Sequence, residues 1–264
     1  MAEPFDNYSR YYDLLYQDKD YRGESDYVRD LLHRFHPAVN SILELGSGTG
    51  RHAELFAASG LQVTGVELST RMFEIASDRA QGVASTNSTA GFSIHQGDAR
   101  NFRIDQRFDA VISLFHVASY QVSNADILNL FQTASHHLQA GGCFVFDVWY
   151  GPAVLAQQPA VRVKRLEDNT IRVLRIAEPT VDTQANRVDV HYTMIISDKT
   201  SGEVEQFTER HPMRYYFSPE LHLIAEQAGL ELVHSEEWMT ANKPSPDTWG
   251  VTYVARKHSS KGRS

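Results

Sequence analysis

Between Ser41 and Gly50 the chain reads Ser-Ile-Leu-Glu-Leu-Gly-Ser-Gly-Thr-Gly. Ile42, Leu43 and Leu45 make a short apolar run suited to a buried strand, and Arg51 to Ala58 then reads as a helix. Gly46, Gly48 and Gly50 separate the two. A strand that breaks into glycines and restarts as a helix leaves bare backbone and free N–H groups at one spot. A ligand can lie close against the chain there.

The same alternation continues downstream. Short strands are expected at 62–66, ending in Glu67, and at 92–94, 108–113 and 143–148. Helices lie between them, one capped by Ser69 and one by Ser123 or Asn124. Alternating strands and helices imply a parallel sheet covered on both faces. Residues 82–90 are small and polar and read as an exposed loop. From Val161 to Phe217 apolar and polar residues alternate instead, which predicts about four antiparallel strands with one wet face, inserted into the α/β core. Ser218-Pro219-Glu220 opens a further helix that ends at Gly229, and two last strands follow at 231–234 and 249–255. At the other end, Tyr8, Tyr11, Tyr12, Tyr16 and Tyr21 crowd residues 5–21. Such a segment suits either a helix packing its rings on a domain or a lid over a ligand.

Composition narrows the partners. A net charge of −8 leans against a nucleic acid or an anionic membrane surface. No apolar run approaches the length of a membrane span, and the start of the chain has no basic and apolar signal region. The single cysteine, Cys143, allows no intrachain disulfide. A cytoplasmic protein is the expectation. The twelve histidines show no zinc-ligand spacing, since His136 and His137 are adjacent and face different sides of their helix, so no metal is expected.

Two ligands fit a glycine loop of this kind. A dinucleotide fingerprint, Gly-x-Gly-x-x-Gly, would put its third glycine at position 51, which is Arg51. The strand-end acid Glu67 serves either ligand, because any ribose offers hydroxyls to a carboxylate. The second ligand is S-adenosylmethionine. Glu44-Leu-Gly-Ser-Gly-Thr-Gly50, Glu67, Gly97-Asp98-Ala99, Phe108-Asp-Ala-Val-Ile-Ser113 and Gly141-Gly142, in this order and spacing, resemble the class I S-adenosylmethionine-dependent methyltransferases. The resemblance covers residues 24–150 and returns for 218–256. It implies an α/β, Rossmann-like, mostly parallel seven-stranded sheet with helices on both faces, beside the inserted antiparallel sheet.

The resemblance also implies roles. Gly46, Gly48 and Gly50 would let the backbone approach the methionine portion and the ribose, with Glu44 near the cofactor's ammonium. Glu67 would accept from the ribose hydroxyls, Leu68 and Ala99 would lie on the adenine, and Asp98 would accept from its amino group. Leu114 joins this cofactor set. The flanks resemble methyltransferases of nucleotide-linked amino sugars, such as the desosamine and mycaminose N,N-dimethyltransferases. In that group N-terminal tyrosines help to close over the cofactor, a role that falls here to Tyr12 and Tyr21. A histidine proposed to interact with the amine follows the fourth strand; this sequence has Tyr120 there, and His116 four residues earlier. His116 and Tyr120 are therefore the candidates for proton removal, and Trp149, Tyr150, Arg214, Tyr215 and Tyr216 for the acceptor pocket.

The expected organisation is an N-terminal cap over 1–40, a cofactor-binding core over 41–150 and 218–257, the insert over 151–217 above the acceptor site, and a polar tail over 258–264. The expected reaction moves a methyl group to an oxygen or nitrogen of a small polar acceptor, with a sugar or sugar nucleotide leading. A homodimer is compatible with the sequence. An RNA-modifying methyltransferase lacks support from the acidic charge, and an NAD-dependent oxidoreductase lacks a Tyr-x-x-x-Lys pair after the fourth strand.

Overall fold

Strand β1 (Ser41–Leu45) lies inside the sheet, parallel to β2 (Gln62–Glu67) on one side and to β4 (Phe108–Ser113) on the other. The computed structural model describes residues 11–86 and 91–258, with backbone alone for 83–86. Tyr8 and the tail after His258 lie outside the described residues. Beyond β2 sits β3 (Phe92–Gln96), and beyond β4 sits β5 (Leu138–Tyr150), both parallel. β11 (Gly250–Lys257) then pairs antiparallel with β5, and β10 (Leu230–Glu237) antiparallel with β11.

Strand alternation sends Ile42 to one face of this sheet and Leu43 to the other. Ile42 joins a core with Val28, Leu31 and Leu32 of α2 (Tyr21–Phe35), Phe56 of α3 (Arg51–Ala58) and Ala76 of α4 (Thr70–Thr86). Leu43 joins Ile127, Leu130 and Phe131 of α5 (Asn124–His137) and Leu221 of α7 (Ser218–Gln227). Local chemistry starts these helices: Asp20 accepts from Gly23 N–H at 2.9 Å, and Ser123 Oγ from Asp126 N–H at 3.0 Å. Helix α4 corrects one expectation. It runs to Thr86, so residues 82–86 of the expected loop are helical, and 87–90 lie outside the described residues.

The insert opens with α6 (Gly151–Gln157), which the alternating pattern did not announce; Pro152 in its first turn and buried Ala153 and Val154 account for it. An antiparallel meander follows: β6 (Arg162–Glu167), β7 (Ile171–Asp182), β8 (Arg187–Asp198) and β9 (Val204–Tyr216). At its end Tyr215 and Tyr216 pair in parallel with Trp149 and Tyr150, so the meander joins the core sheet at the end of β5. The short helix α1 (Tyr12–Leu15) is wedged between them. Tyr11, Tyr12 and Leu15 pack with Met72 of α4 and with Val173, Met194 and Ile196 of the meander.

Candidate active site

At the end of β1 the N–H groups of Gly46 and Ser47 both donate to the Val66 carbonyl, at 2.9 and 3.0 Å. Gly46 has φ 82°, and a Cβ there would stand 2.6 Å from a methyl of Val117, in the 3-10 turn Val117–Tyr120 that follows β4. Only a hydrogen fits between the two. Gly48, φ 56°, is the opposite case: a Cβ would meet nothing within 4 Å, so its backbone faces open space. Its N–H donates to Glu67 Oε2 at 2.8 Å, and Ser69 N–H donates to Glu67 Oε1 at 2.8 Å. One carboxylate therefore ties the loop to the end of β2.

That open space is a cavity of about 370 Å³, within the range for a small-molecule site. Its walls follow the strand order across the carboxyl edge of the sheet: Asp98, Ala99 and Arg100 after β3, Glu67 and Leu68 at β2, Glu44, Gly46, Ser47, Gly48 and Thr49 at β1, and Leu114, Phe115, Val117, Tyr120 and Gln121 after β4. Tyr12 and Tyr21 from the N-terminal segment, Arg51 and His52 of α3, Met72 of α4 and Pro212 from β9 complete it. Ligands of open α/β sheets bind at this edge. Gly50, at φ 77°, is the residue before α3 and is absent from the wall.

Two buried polar atoms of lining residues have no hydrogen-bond partner, Glu44 Oε2 and the Tyr21 hydroxyl. Burial pushes the Glu44 carboxyl up to about 8, with a bond to Ser47 opposing and Glu67 adding. Burial also raises Glu67, against the Ser69 and Gly48 N–H groups. A ligand that brings an ammonium to Glu44 and hydroxyls to Glu67 fits these two carboxylates. Asp98 is engaged: Arg100 Nε lies 2.9 and 3.0 Å from its two oxygens, and Arg100 N–H donates to it at 2.9 Å. Burial opposes ionisation of Asp98, yet Arg100 holds it below the usual carboxylate range.

Other expected site residues sit elsewhere, and each has a physical reason. His116 is outside the cavity wall; its Nδ1 lies 2.5 Å from Asp147, and its ring is edge-on to Trp149 at 6.2 Å. Phe115 and His116 have φ 61° and 65°, and this left-handed pair carries the imidazole from the wall to Asp147. Arg214 donates to Asn124 at 2.7 Å and to Glu220 at 3.0 Å. The buried Tyr216 hydroxyl donates to the Gln121 carbonyl at 2.5 Å. Trp149 packs edge-on to Trp249 at 5.5 Å, and Tyr150 rests on the core with its N–H bonded to the Trp249 carbonyl. The wholly buried Tyr215 packs in a cluster with Val154 and Val188. These residues brace the wall and do not line it.

Sequence reasoning missed a clasp. Asp13, beside Tyr12, accepts from Thr49 Oγ1 at 2.9 Å and from Arg79 at 3.1 Å, and pairs with Arg51 at 3.3 Å. Arg51, where a dinucleotide loop would have glycine, thus holds α1 on the glycine loop. On the other side Lys164 of β6 donates to the Leu15 carbonyl at 2.7 Å and to Asp18 at 2.9 Å. Lys19, buried with its partner Glu24 at 2.8 Å, stands 3.6 Å over the Phe115 ring. Burial lowers the Lys19 ammonium and the Glu24 charge resists that shift.

Residues 42–142 match a family model described as a methyltransferase domain. The chain is 29% identical over 228 residues to dTDP-3-amino-3,4,6-trideoxy-alpha-D-glucopyranose N,N-dimethyltransferase from Streptomyces venezuelae, covering 85% of this chain and 90% of that one. Its fold is similar to an S-adenosylmethionine-dependent methyltransferase from Clostridium acetobutylicum, with TM-score 0.79 and 20% identity over 96% of this chain and 99% of that one. It is also similar to Streptomyces venezuelae DesVI, with TM-score 0.76 and 24% identity over 97% and 99%.

Proposed function

We propose that this chain, an S-adenosylmethionine-dependent methyltransferase, methylates the amino nitrogen of a nucleotide-linked amino sugar. One observation carries the reading: a single cavity runs from Glu44, Gly48 and Glu67 to Tyr120, Gln121 and Pro212, bringing donor and acceptor ends into one enclosure. The Streptomyces venezuelae relative acts, by its name, on a dTDP-linked 3-amino sugar, and this chain spans 90% of its length.

In this reading Gly46 and Gly48 offer backbone to the cofactor, Glu67 takes the ribose hydroxyls, Glu44 the ammonium, and Leu68, Asp98 and Ala99 the adenine. Tyr12 and Tyr21 close over it. The cofactor, when bound, supplies a methyl group already made electrophilic by its sulfonium. The protein has to hold the acceptor nitrogen in line, exclude water and accept a proton. Incubating the protein with labelled cofactor and dTDP-linked 3-amino or 4-amino sugars should give first a monomethylated and then a dimethylated amine. Transfer to a neutral hydroxyl sugar nucleotide with none to the amines would sink the reading.

Glu44 gives a second check. With its carboxyl at about 8, it is mostly protonated at pH 7; an ammonium against Oε2 favours the anion, so binding expels a proton. Calorimetry of S-adenosylhomocysteine binding in two buffers of different ionisation enthalpy should show release approaching one proton, abolished in Glu44→Gln. Equal heats in both buffers would place the ammonium elsewhere. The stability sign follows. The carboxyl is raised in the fold from an ordinary value of 4.5 to about 8. The folded state therefore binds more protons between these values, and the free protein loses stability as pH rises through that window. Glu44→Gln should raise the melting temperature more at pH 8 than at pH 5.

A further inference from the structure

We propose that Arg100 is a positioning residue for the cofactor's base: it fixes Asp98 as a pure acceptor, so that the site takes a base with an amino group there and rejects one with an oxo group. The proposal rests on the cofactor placement above. Glu44 of β1, Glu67 of β2 and Asp98 after β3 line the cavity from neighbouring strands. They stand in the order of the cofactor's ammonium, ribose hydroxyls and adenine amino group. Arg100 lines the same wall.

A carboxyl group discriminates between bases only if its protonation and its rotation are fixed. A neutral carboxyl has a hydrogen of its own to donate and would serve an oxo group as well as an amino group. Arg100 fixes both. The Asp98 carbonyl takes the N–H groups of Asn101 and Phe102, at 3.0 and 2.8 Å, and this turn folds Arg100 back over the Asp98 side chain. Oδ1 then accepts the Arg100 N–H at 2.9 Å, an Asx-turn. Nε lies 2.9 Å from Oδ1 and 3.0 Å from Oδ2, and Nη2 lies 2.6 Å from Oδ2. A guanidinium only donates and stays charged, so the direction of each bond is given. Burial opposes ionisation, yet these bonds hold the Asp98 carboxyl below the usual carboxylate range. The backbone N–H, Nε and Nη2 are three donors to a carboxylate with about four lone-pair sites. That leaves room for one further donor, such as one N–H of an amino group.

The other end of the guanidinium is tied as well. Nη1 donates to Asp126 Oδ1 at 2.9 Å. Asp126 stands in the first turn of α5, with its N–H held by Ser123 Oγ at 3.0 Å. To swing away from Asp98, Arg100 has to leave Asp126 too. A brace between β3 and α5 explains the arrangement less well. The Arg100 side chain is 38% exposed and that of Asp126 28%, and ion pairs so open to water contribute little to stability. Such a brace also has no need of a second carboxylate in the cavity wall.

Calorimetry with two ligands tests the assignment: S-adenosylhomocysteine, and S-inosylhomocysteine, in which an oxo group replaces the adenine amino group. The parent should favour the adenosyl ligand by about a hundredfold or more, since the oxo group would set an acceptor against Asp98. In Arg100→Ala, Asp98 is free to turn and to take up a proton, and the preference should fall by about tenfold or more. Arg100→Lys keeps the charge without the fork and should lie between. A mere brace would weaken both ligands alike and leave the preference unchanged, and that result overturns the proposal. Asp98→Asn separates this from a failure of the cofactor placement. Its amide can donate to the oxo group, so the preference should largely vanish. If Asp98→Asn keeps the parent's preference, or the parent has none, Asp98 does not touch the base, and the placement falls together with the proposal. If Asp98→Asn loses the preference while Arg100→Ala and Arg100→Lys keep it, the placement stands and the role of Arg100 is overturned.

Discussion

Glu67→Ala will weaken S-adenosylhomocysteine binding by about a hundredfold or more. The side chain is nearly buried and already takes two backbone N–H groups at 2.8 Å, one from Gly48 in the loop and one from Ser69. In the proposed complex it also receives the two ribose hydroxyls. Hydrogen bonds to a charged group contribute about 1.5–3 kcal/mol each, so losing two costs about 3 kcal/mol at least, and each 1.4 kcal/mol is about tenfold. The loop would loosen as well, since Gly48 loses its tie to β2. Glu67→Gln should lie between, because its amide keeps one acceptor and turns an NH₂ towards a donor. Calorimetry reads the affinities directly. Unchanged binding in Glu67→Ala would mean that the ribose is held elsewhere.

Gly46→Ala is expected to damage both stability and binding. The left-handed backbone at φ 82° costs a residue with a Cβ about 1–2 kcal/mol. The new methyl would also stand 2.6 and 2.8 Å from the two Val117 methyls, and overpacking of that kind costs about 1–3 kcal/mol. Thermal unfolding should drop by several degrees. Cofactor affinity should fall because Val117 lines the cavity and its turn carries Tyr120. Adding Val117→Ala removes the clash but not the backbone strain, so the double variant should recover part of the loss. A single variant as stable as the parent would show that the strand and the turn can part without cost.

The cavity wall along β1 to β3 was legible because its determinants are local. Glu67 ends β2 and Asp98 follows the end of β3, and a parallel sheet brings such ends to one edge. The acceptor half depends on tertiary register. Pro212 of β9 lines the same cavity as Tyr120 from far along the chain, and alternation along β9 told only that one face is buried, not against what. The same ignorance put Arg214 and Tyr216 in the acceptor pocket, where the fold uses them to brace Asn124, Glu220 and Gln121. His116 was placed at the right offset from β4, but nothing in its pattern announces two consecutive left-handed residues. In α4, Gly82 and the small residues after it read as a break, yet the helix continued through them to Thr86.

Helix α1 belongs to two walls at once: Asp13 fastens it to the glycine loop and Lys164 to the meander. On the amino-sugar reading proposed above, dimethylation of one nitrogen would consume two cofactor molecules, so the spent one would have to leave midway. Any passage on this side must undo one set of these bonds. The charges involved are partly exposed, Asp13 at 35%, Arg51 at 37% and Asp18 at 65%. Such pairs are individually weak, about 1 kcal/mol or less, and are screened by salt. On that reading, exchange would be the ionic-strength-sensitive part of the cycle. The background electrolyte would then set how often a half-methylated sugar escapes before its second visit.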